Sequence, residues 1–156
     1  MRTIKIFLAS SNELKSERII FPDTLLKMRS DLLEREATID LVKWEYLDAS
    51  MGILRKQEEY NRELATCDMV FVVFWQRFGE FTDEEFQTAL NGLRDDRLPR
   101  SVIVMFKKDD KPMEESLADF KNNLKPEEGL TILEFSSEEE FRNQIKTQVL
   151  SYAEKF

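Results

Sequence analysis

The chain has no histidine, one cysteine, and only four glycines and four prolines in 156 residues. Without histidine, Ser-His-Asp and Cys-His triads are excluded, and the common zinc sites lose their main ligand. Catalysis must rest on carboxylates, Lys, Tyr, Ser or a bound cofactor. The lone Cys67 excludes an internal disulfide and fits a reducing compartment. It lies in an apolar stretch ahead of a strand and reads as a small buried hydrophobe. Long hydrophobic runs are missing too. Met1-Arg2-Thr3 leads directly into a short strand pattern, with no signal peptide and no run of membrane-helix length. The cytoplasm is the expected location, with no membrane partner. Positive charge is in deficit: 23 Lys and Arg against 31 Asp and Glu give a net charge of −8. That argues against nucleic acid as a partner, because duplex binding wants a basic face.

What is present alternates between two periods. Thr3 to Ala9, Ile39 to Tyr46, Met69 to Phe74, Ser101 to Phe106 and Leu130 to Phe135 are apolar, β-branched or aromatic runs, and each predicts a strand. Between them lie helical stripes. Ser10 and Glu13 have capping-box spacing ahead of a helix over Leu14 to Arg35, with Phe21, Leu25, Met28 and Leu32 on one face and Pro22 as a flaw. Ile53, Gln57, Tyr60, Leu64 and Cys67 mark a second helix ending near Thr66. Phe86, Ala89, Leu90 and Leu93 mark a third, fraying around Gly92 to Asp96. A fourth covers Met113 to Leu124. The fifth starts at Ser137, with Glu140 three residues on, and buries Phe141, Ile145, Val149 and Tyr152. Five strands alternating with five helices predict a doubly wound parallel sheet, of flavodoxin-like order 2-1-3-4-5. The loops after strands 1 and 3, Ser10 to Asn12 and Trp75 to Thr82, then border one crevice. No repeat or linker appears, so residues 1–156 read as one domain. The chain stops right after a final amphipathic helix, as the N-terminal domain of a longer protein would.

Asp68 to Leu90 is the stretch on which function turns. A buried strand empties through Arg77, Phe78 and Gly79 into Thr82-Asp83-Glu84-Glu85. As a capping box, Thr82 is the N-cap and Glu85 reaches back to its N–H, which accounts for the acids by helix stability alone. As chemistry, Phe81 is an aromatic platform four residues from a carboxylate, at the predicted switch point. That pairing suits a heterocycle attached to a sugar, with the carboxylate stabilising or trapping the oxocarbenium-like centre. Both readings use the same residue.

Here the chain resembles bacterial TIR and TIR-like domains. The likeness runs through Lys5 to Arg18, Val42 to Asp48 and Glu59 to Phe74. It is sharpest in Phe81-x-x-x-Glu85-Phe86-x-x-Ala89-Leu90. The resemblance implies Glu85 as the catalytic glutamate and Phe81 as a pocket wall. It implies an NAD+ nucleosidase that releases nicotinamide with ADP-ribose or its cyclic form, NAD+ being substrate and no cofactor being needed. It further implies an antiphage effector activated by self-assembly, with Asp48 to Gly52 as an assembly loop and a sensor domain or protein as a further partner. The sequence departs from active members in having Ser10, Ser11 and Asn12 where several carry basic residues, and Phe81 where some carry Trp.

The expected substrate-binding set is Phe81, Ser10, Ser11, Trp75 and Arg77, with no metal. Ser10 and Ser11 are caps that can also donate to a ligand. Trp75 stands between core packing and stacking on a base, and Trp44 reads as core. Arg77 reads as an ion pair with Glu80, with phosphate binding as its other role. Pyrophosphate could instead meet the first helix's amides, Arg77 or Arg55. Asp95-Asp96 and Asp109-Asp110 read as solvated turns. Two further functions stay open. One is a non-catalytic TIR module that only self-associates. The other is a nucleoside 2-deoxyribosyltransferase, although that family favours a Gly-rich approach to its glutamate and only Gly79 is present here.

Overall fold

Unbroken runs of β-branched and aromatic residues become five strands. The computed structural model describes residues 1–10, 13–43, 59, 61–77 and 83–156, and of residues 43 and 83–85 the backbone only. The strands are β1 (Arg2–Ser10), β2 (Ala37–Lys43), β3 (Met69–Phe74), β4 (Ser101–Lys107) and β5 (Leu130–Phe135). The helices are α1 (Lys15–Lys27), α2 (Arg29–Glu34), α3 (Asp83–Arg94), α4 (Glu115–Asn123) and α5 (Glu138–Lys155). Residues 61–64 are also helical. Neighbouring strands all pair in parallel, in the order β2-β1-β3-β4-β5, the flavodoxin-like arrangement read from the sequence.

The period-2 alternation of the central strands divides the core in two. Ile4, Ile6, Leu8, Met69, Phe71, Val73, Ile103 and Met105 face one side, where Phe21, Leu25, Met28 and Leu32 of α1–α2 meet Phe141, Ile145, Val149 and Tyr152 of α5. Phe7, Ala9, Val70, Val72, Phe74, Val102, Val104 and Phe106 face the other, against Leu64, Phe86, Ala89, Leu90 and Leu117. Edge-to-face ring pairs lock each half, Phe21 on Phe71 at 4.9 Å and Phe86 on Phe120 at 5.0 Å. Both faces of β3 are therefore covered, which is why all six of its residues are buried.

Several local expectations change. The first helix breaks at Met28, not at Pro22, which sits inside α1 and withholds an N–H from the Arg18 carbonyl without ending the helix. The Ser10–Glu13 capping box does not form. Ser10 is the last residue of β1, paired in register with Val73, and α1 is entered through Leu14 without a side-chain cap. Helix α3 ends at Arg94, within the Gly92 to Asp96 range expected to fray, while Gly92 itself is helical. It is buried within α3, where a Cβ would come within 2.4 Å of the Leu98 carbonyl oxygen. At α5 the Ser137 hydroxyl accepts from the Glu140 N–H at 3.1 Å, while the Glu140 carboxylate reaches past it to the Ser136 N–H at 2.7 Å. Trp44, Asp48 to Gly52, Arg55 and most of the predicted second helix lie outside the described residues.

Asp68 fixes the lower edge of the sheet. Its carboxylate accepts the Lys5 N–H at 2.8 Å and the Tyr152 hydroxyl at 2.9 Å, and its carbonyl accepts the Arg100 N–H. The side chain thus joins β1 and α5, and the backbone carbonyl of the same residue ties in the start of β4. Burial, with the Asp68 bond behind it, pushes the Tyr152 phenol up to about 12. Cys67 is fully buried, as expected, with its thiol donating to the Glu63 carbonyl and pushed by burial to about 11.

Candidate functional site

The sheet order reverses between β1 and β3, so the loops leaving their C-terminal ends flank one crevice. Ser10, half-buried, ends the β1 side. Trp75, Gln76 and Arg77 begin the β3 side. The two sides are tied by Glu13, whose Oε1 accepts the backbone N–H groups of Gln76 at 2.5 Å and Arg77 at 3.1 Å. Glu13 is thus a bridge between loops instead of a cap. Arg77 is exposed, and its Nε lies 3.8 Å from Glu13 Oε2. Glu80 lies outside the described residues. An exposed pair at that distance contributes little.

Trp75 neither packs fully inside nor stands free. Its indole N–H donates to Asp109 at 2.9 Å, so Asp109 positions the ring and is more than a solvated turn. The ring itself is met by two ammonium groups, Lys107 at 4.4 Å and Lys111 at 5.0 Å from its centroid. Lys107 also donates to Glu17 Oε1 at 2.6 Å. Glu17 is buried in the first turn of α1, and its Oε2 has no hydrogen-bond partner. A carboxylate in that position costs free energy unless its cation stays in place. An open depression of about 330 Å³, lined by Gln76, Arg77, Pro112, Met113 and Glu114, begins at the residue after Trp75.

The structure therefore brings Ser10, Trp75 and Arg77 to one edge, organised by four residues that sequence reading missed: Glu13, Glu17, Lys107 and Asp109. One signal was available. The buried stripe Leu32, Met28, Leu25 and Phe21, extended one turn back, lands on Glu17, an acid on an apolar face. The strand Ser101–Lys107 likewise ends its apolar run on a lysine. Ser11 and Phe81 lie outside the described residues. Glu85 has its backbone in the first turn of α3, which begins at Asp83 on the chain leaving this edge. Among the described residues no helix is long and apolar enough to cross a membrane, and no group of three His, Cys, Asp or Glu is placed to hold a metal ion.

A family model described as "Domain of unknown function (DUF4062)" matches residues 5–150. No curated protein matches the chain. Among solved structures, the Clostridium botulinum CMP N-glycosidase BcmB aligns at 11% identity over 92% of this chain and 98% of its own, with a TM-score of 0.47. Rubredoxin oxygen:oxidoreductase from Desulfovibrio gigas aligns at 13% identity over 98% of this chain and 35% of its own, TM-score 0.45. RosB, solved with 8-demethyl-8-formylriboflavin-5′-phosphate, aligns at 8% identity over 97% and 79%, TM-score 0.42. At these scores the fold rests on the chain's own sheet and not on the likenesses.

The family match overturns the TIR reading, and the effector and assembly roles that the resemblance implied lose that support. The motif misled for a physical reason. Phe86, Ala89 and Leu90 are all buried against the sheet. The Phe86, Ala89 and Leu90 positions of the pattern thus record the buried face of a helix on the sheet.

Proposed function

The chain belongs to the DUF4062 family, and we propose that it cleaves the N-glycosidic bond of a nucleoside or nucleotide in the crevice between β1 and β3. The observation that carries this reading is the Glu13 bridge, which builds the loops after β1 and β3 into one polar wall. The chain continues from that wall into the first turn of α3 and its three consecutive acids, Asp83, Glu84 and Glu85.

Glu85 is the residue assigned to the reaction. As the sugar–base bond lengthens, positive charge gathers at the anomeric carbon, and a carboxylate there stabilises or covalently traps it. Water then completes hydrolysis, giving free base and the sugar with a new anomeric hydroxyl. Phe81 and Trp75 are the aromatic groups assigned to the base. Ser10, Ser11 and Arg77 are the polar groups assigned to the sugar and phosphate. NAD+ is one candidate substrate, a nicotinamide nucleotide whose base already leaves as a neutral molecule; pyrimidine and purine mononucleotides are the others. Transfer to a second base would use the same covalent step with a base in place of water.

The test is release of free base from a panel of NAD+, CMP, AMP and the corresponding nucleosides, with an added acceptor base in one arm. Activity that falls by about 10²–10⁴-fold in Glu85→Gln, with folding intact, supports the reading. Base release unaffected by that substitution defeats it.

A further inference from the structure

The turn after β4 carries a lysine to Trp75 and holds it there. Asp109 accepts the Trp75 indole N–H through Oδ2 at 2.9 Å and the backbone N–H of Lys111 through Oδ1 at 2.8 Å. One carboxylate thus fixes the ring and the lysine's backbone in a set relation. Three residues on, the Glu114 N–H donates to the Gln76 carbonyl at 2.7 Å, and Met113 just before it packs against the core. Pro112, with its restricted φ, stiffens the same stretch. Mounted in this way, Lys111 reaches back over Trp75 and sets its ammonium 5.0 Å from the ring centroid. Lys107 meets the same ring but is committed to the buried Glu17. Lys111 is not. It is exposed, and among the described residues its ammonium has no carboxylate partner, so it is free to donate to what lies on Trp75.

A pyrimidine or purine that leaves a sugar keeps the bonding electron pair and departs with negative charge, whereas nicotinamide leaves NAD+ as a neutral molecule. With no histidine in the chain, a different group must meet that charge. We propose that Lys111 is a catalytic residue acting on the departing base, and that the site therefore favours mononucleotides of neutral bases over NAD+. As the bond from the anomeric carbon to the base breaks, its electron pair passes to the base nitrogen. The Lys111 ammonium moves from the ring to the edge of the base and donates a hydrogen bond to an acceptor there, where the negative charge spreads. The lysine keeps its own proton throughout. Glu85 takes the anomeric carbon, and the water that later gives its hydroxyl to that carbon gives its proton to the base. This inference rests on the assignment of Trp75 to the base and Glu85 to the sugar, and it narrows the substrate class of that site.

Base release by the full chain and by Lys111→Met is measured with UMP, CMP, AMP and NAD+, and with a fluorinated analogue of each mononucleotide, whose base is the better leaving group. The expected result is that Lys111→Met lowers kcat for the mononucleotide cleaved by about 10²-fold, lowers it less for the fluorinated analogue, and does not lower the release of nicotinamide. Lys111→Arg, which keeps a cation, should recover part of the loss. Lys111 is exposed, so the unfolding midpoint of Lys111→Met should match the wild type. A merely structural role would depress every substrate alike. Mononucleotide cleavage indifferent to Lys111→Met, an equal loss on plain and fluorinated substrates, or a wild type that prefers NAD+ would overturn the inference and leave the Glu85 reading in place. A wild type that releases no base from any of these substrates defeats both.

Discussion

Replacing Lys107 by Met isolates the contribution of the buried Glu17–Lys107 pair. The Glu17 side chain is 6% exposed and that of Lys107 28%, with 2.6 Å between Nζ and Oε1. Glu17 Oε2 has no partner in reserve. Removing the ammonium leaves a carboxylate that must either stay charged in a poor dielectric or take up a proton. Breaking a buried pair from one side costs about 3–5 kcal/mol. Protonating an ordinary glutamate at pH 7 costs about 3.7 kcal/mol, which caps the loss. We therefore expect Lys107→Met to destabilise by about 3 kcal/mol at pH 7. At an m-value of about 2 kcal/mol/M, that lowers the urea midpoint by about 1–2 M. At pH 5 protonation costs only about 1 kcal/mol, so the variant should recover most of the difference from wild type. The double substitution Glu17→Gln with Lys107→Met removes both charges and should return close to wild type at either pH. A single variant within about 0.5 kcal/mol of wild type at pH 7, or a double variant no better than the single, would refute the reasoning.

Gly92→Ala should destabilise by about 1–3 kcal/mol, despite Ala's higher helix propensity, because the new methyl meets the Leu98 carbonyl and Pro99 ring at 2.4 and 2.8 Å; thermal unfolding measures it. Alkali should weaken the fold through Cys67 and Tyr152, both raised in the folded state. Their contributions are fully present below the unfolded values of 9.0 and 10.0 and are lost as pH rises through about 11 and about 12. Tyr152→Phe should flatten the part of the stability–pH curve between pH 10 and 12; an unchanged slope there would count against the Asp68 bond as drawn. Glu13→Ala should raise hydrogen exchange at the Gln76 and Arg77 amides while leaving Val72 protected, and equal protection of all three would remove Glu13 as the bridge between loops.

The fold was legible because its signals are local and redundant. Met69 to Phe74 and Ser101 to Phe106 can hardly be anything but doubly covered strands, and the stripes of α3 and α5 name their buried faces residue by residue. The site was less so, because its contacts join residues distant in the chain. Glu13 has the spacing of a helix cap, and nothing near it reveals that the N–H groups donating to it lie 63 and 64 residues away. Asp109 sits in a polar turn of ordinary composition, yet it orients Trp75 from 34 residues off. Glu17 was the exception, an acid visible on an apolar stripe. The family likeness failed for the opposite reason: three of the five residues in its sharpest motif, Phe86, Ala89 and Leu90, are core positions of a helix on a sheet.

The central claim concerns the crevice and Glu85. Incubating the wild-type chain and Glu85→Gln with NAD+ and the mononucleotides, and separating free base from nucleotide by chromatography, addresses it most directly. The account predicts base release from at least one of these substrates by the wild type, and its loss in the variant with an unchanged unfolding midpoint. Wild-type chain that releases no base from any of them, or a Glu85→Gln variant as active as wild type, would contradict it.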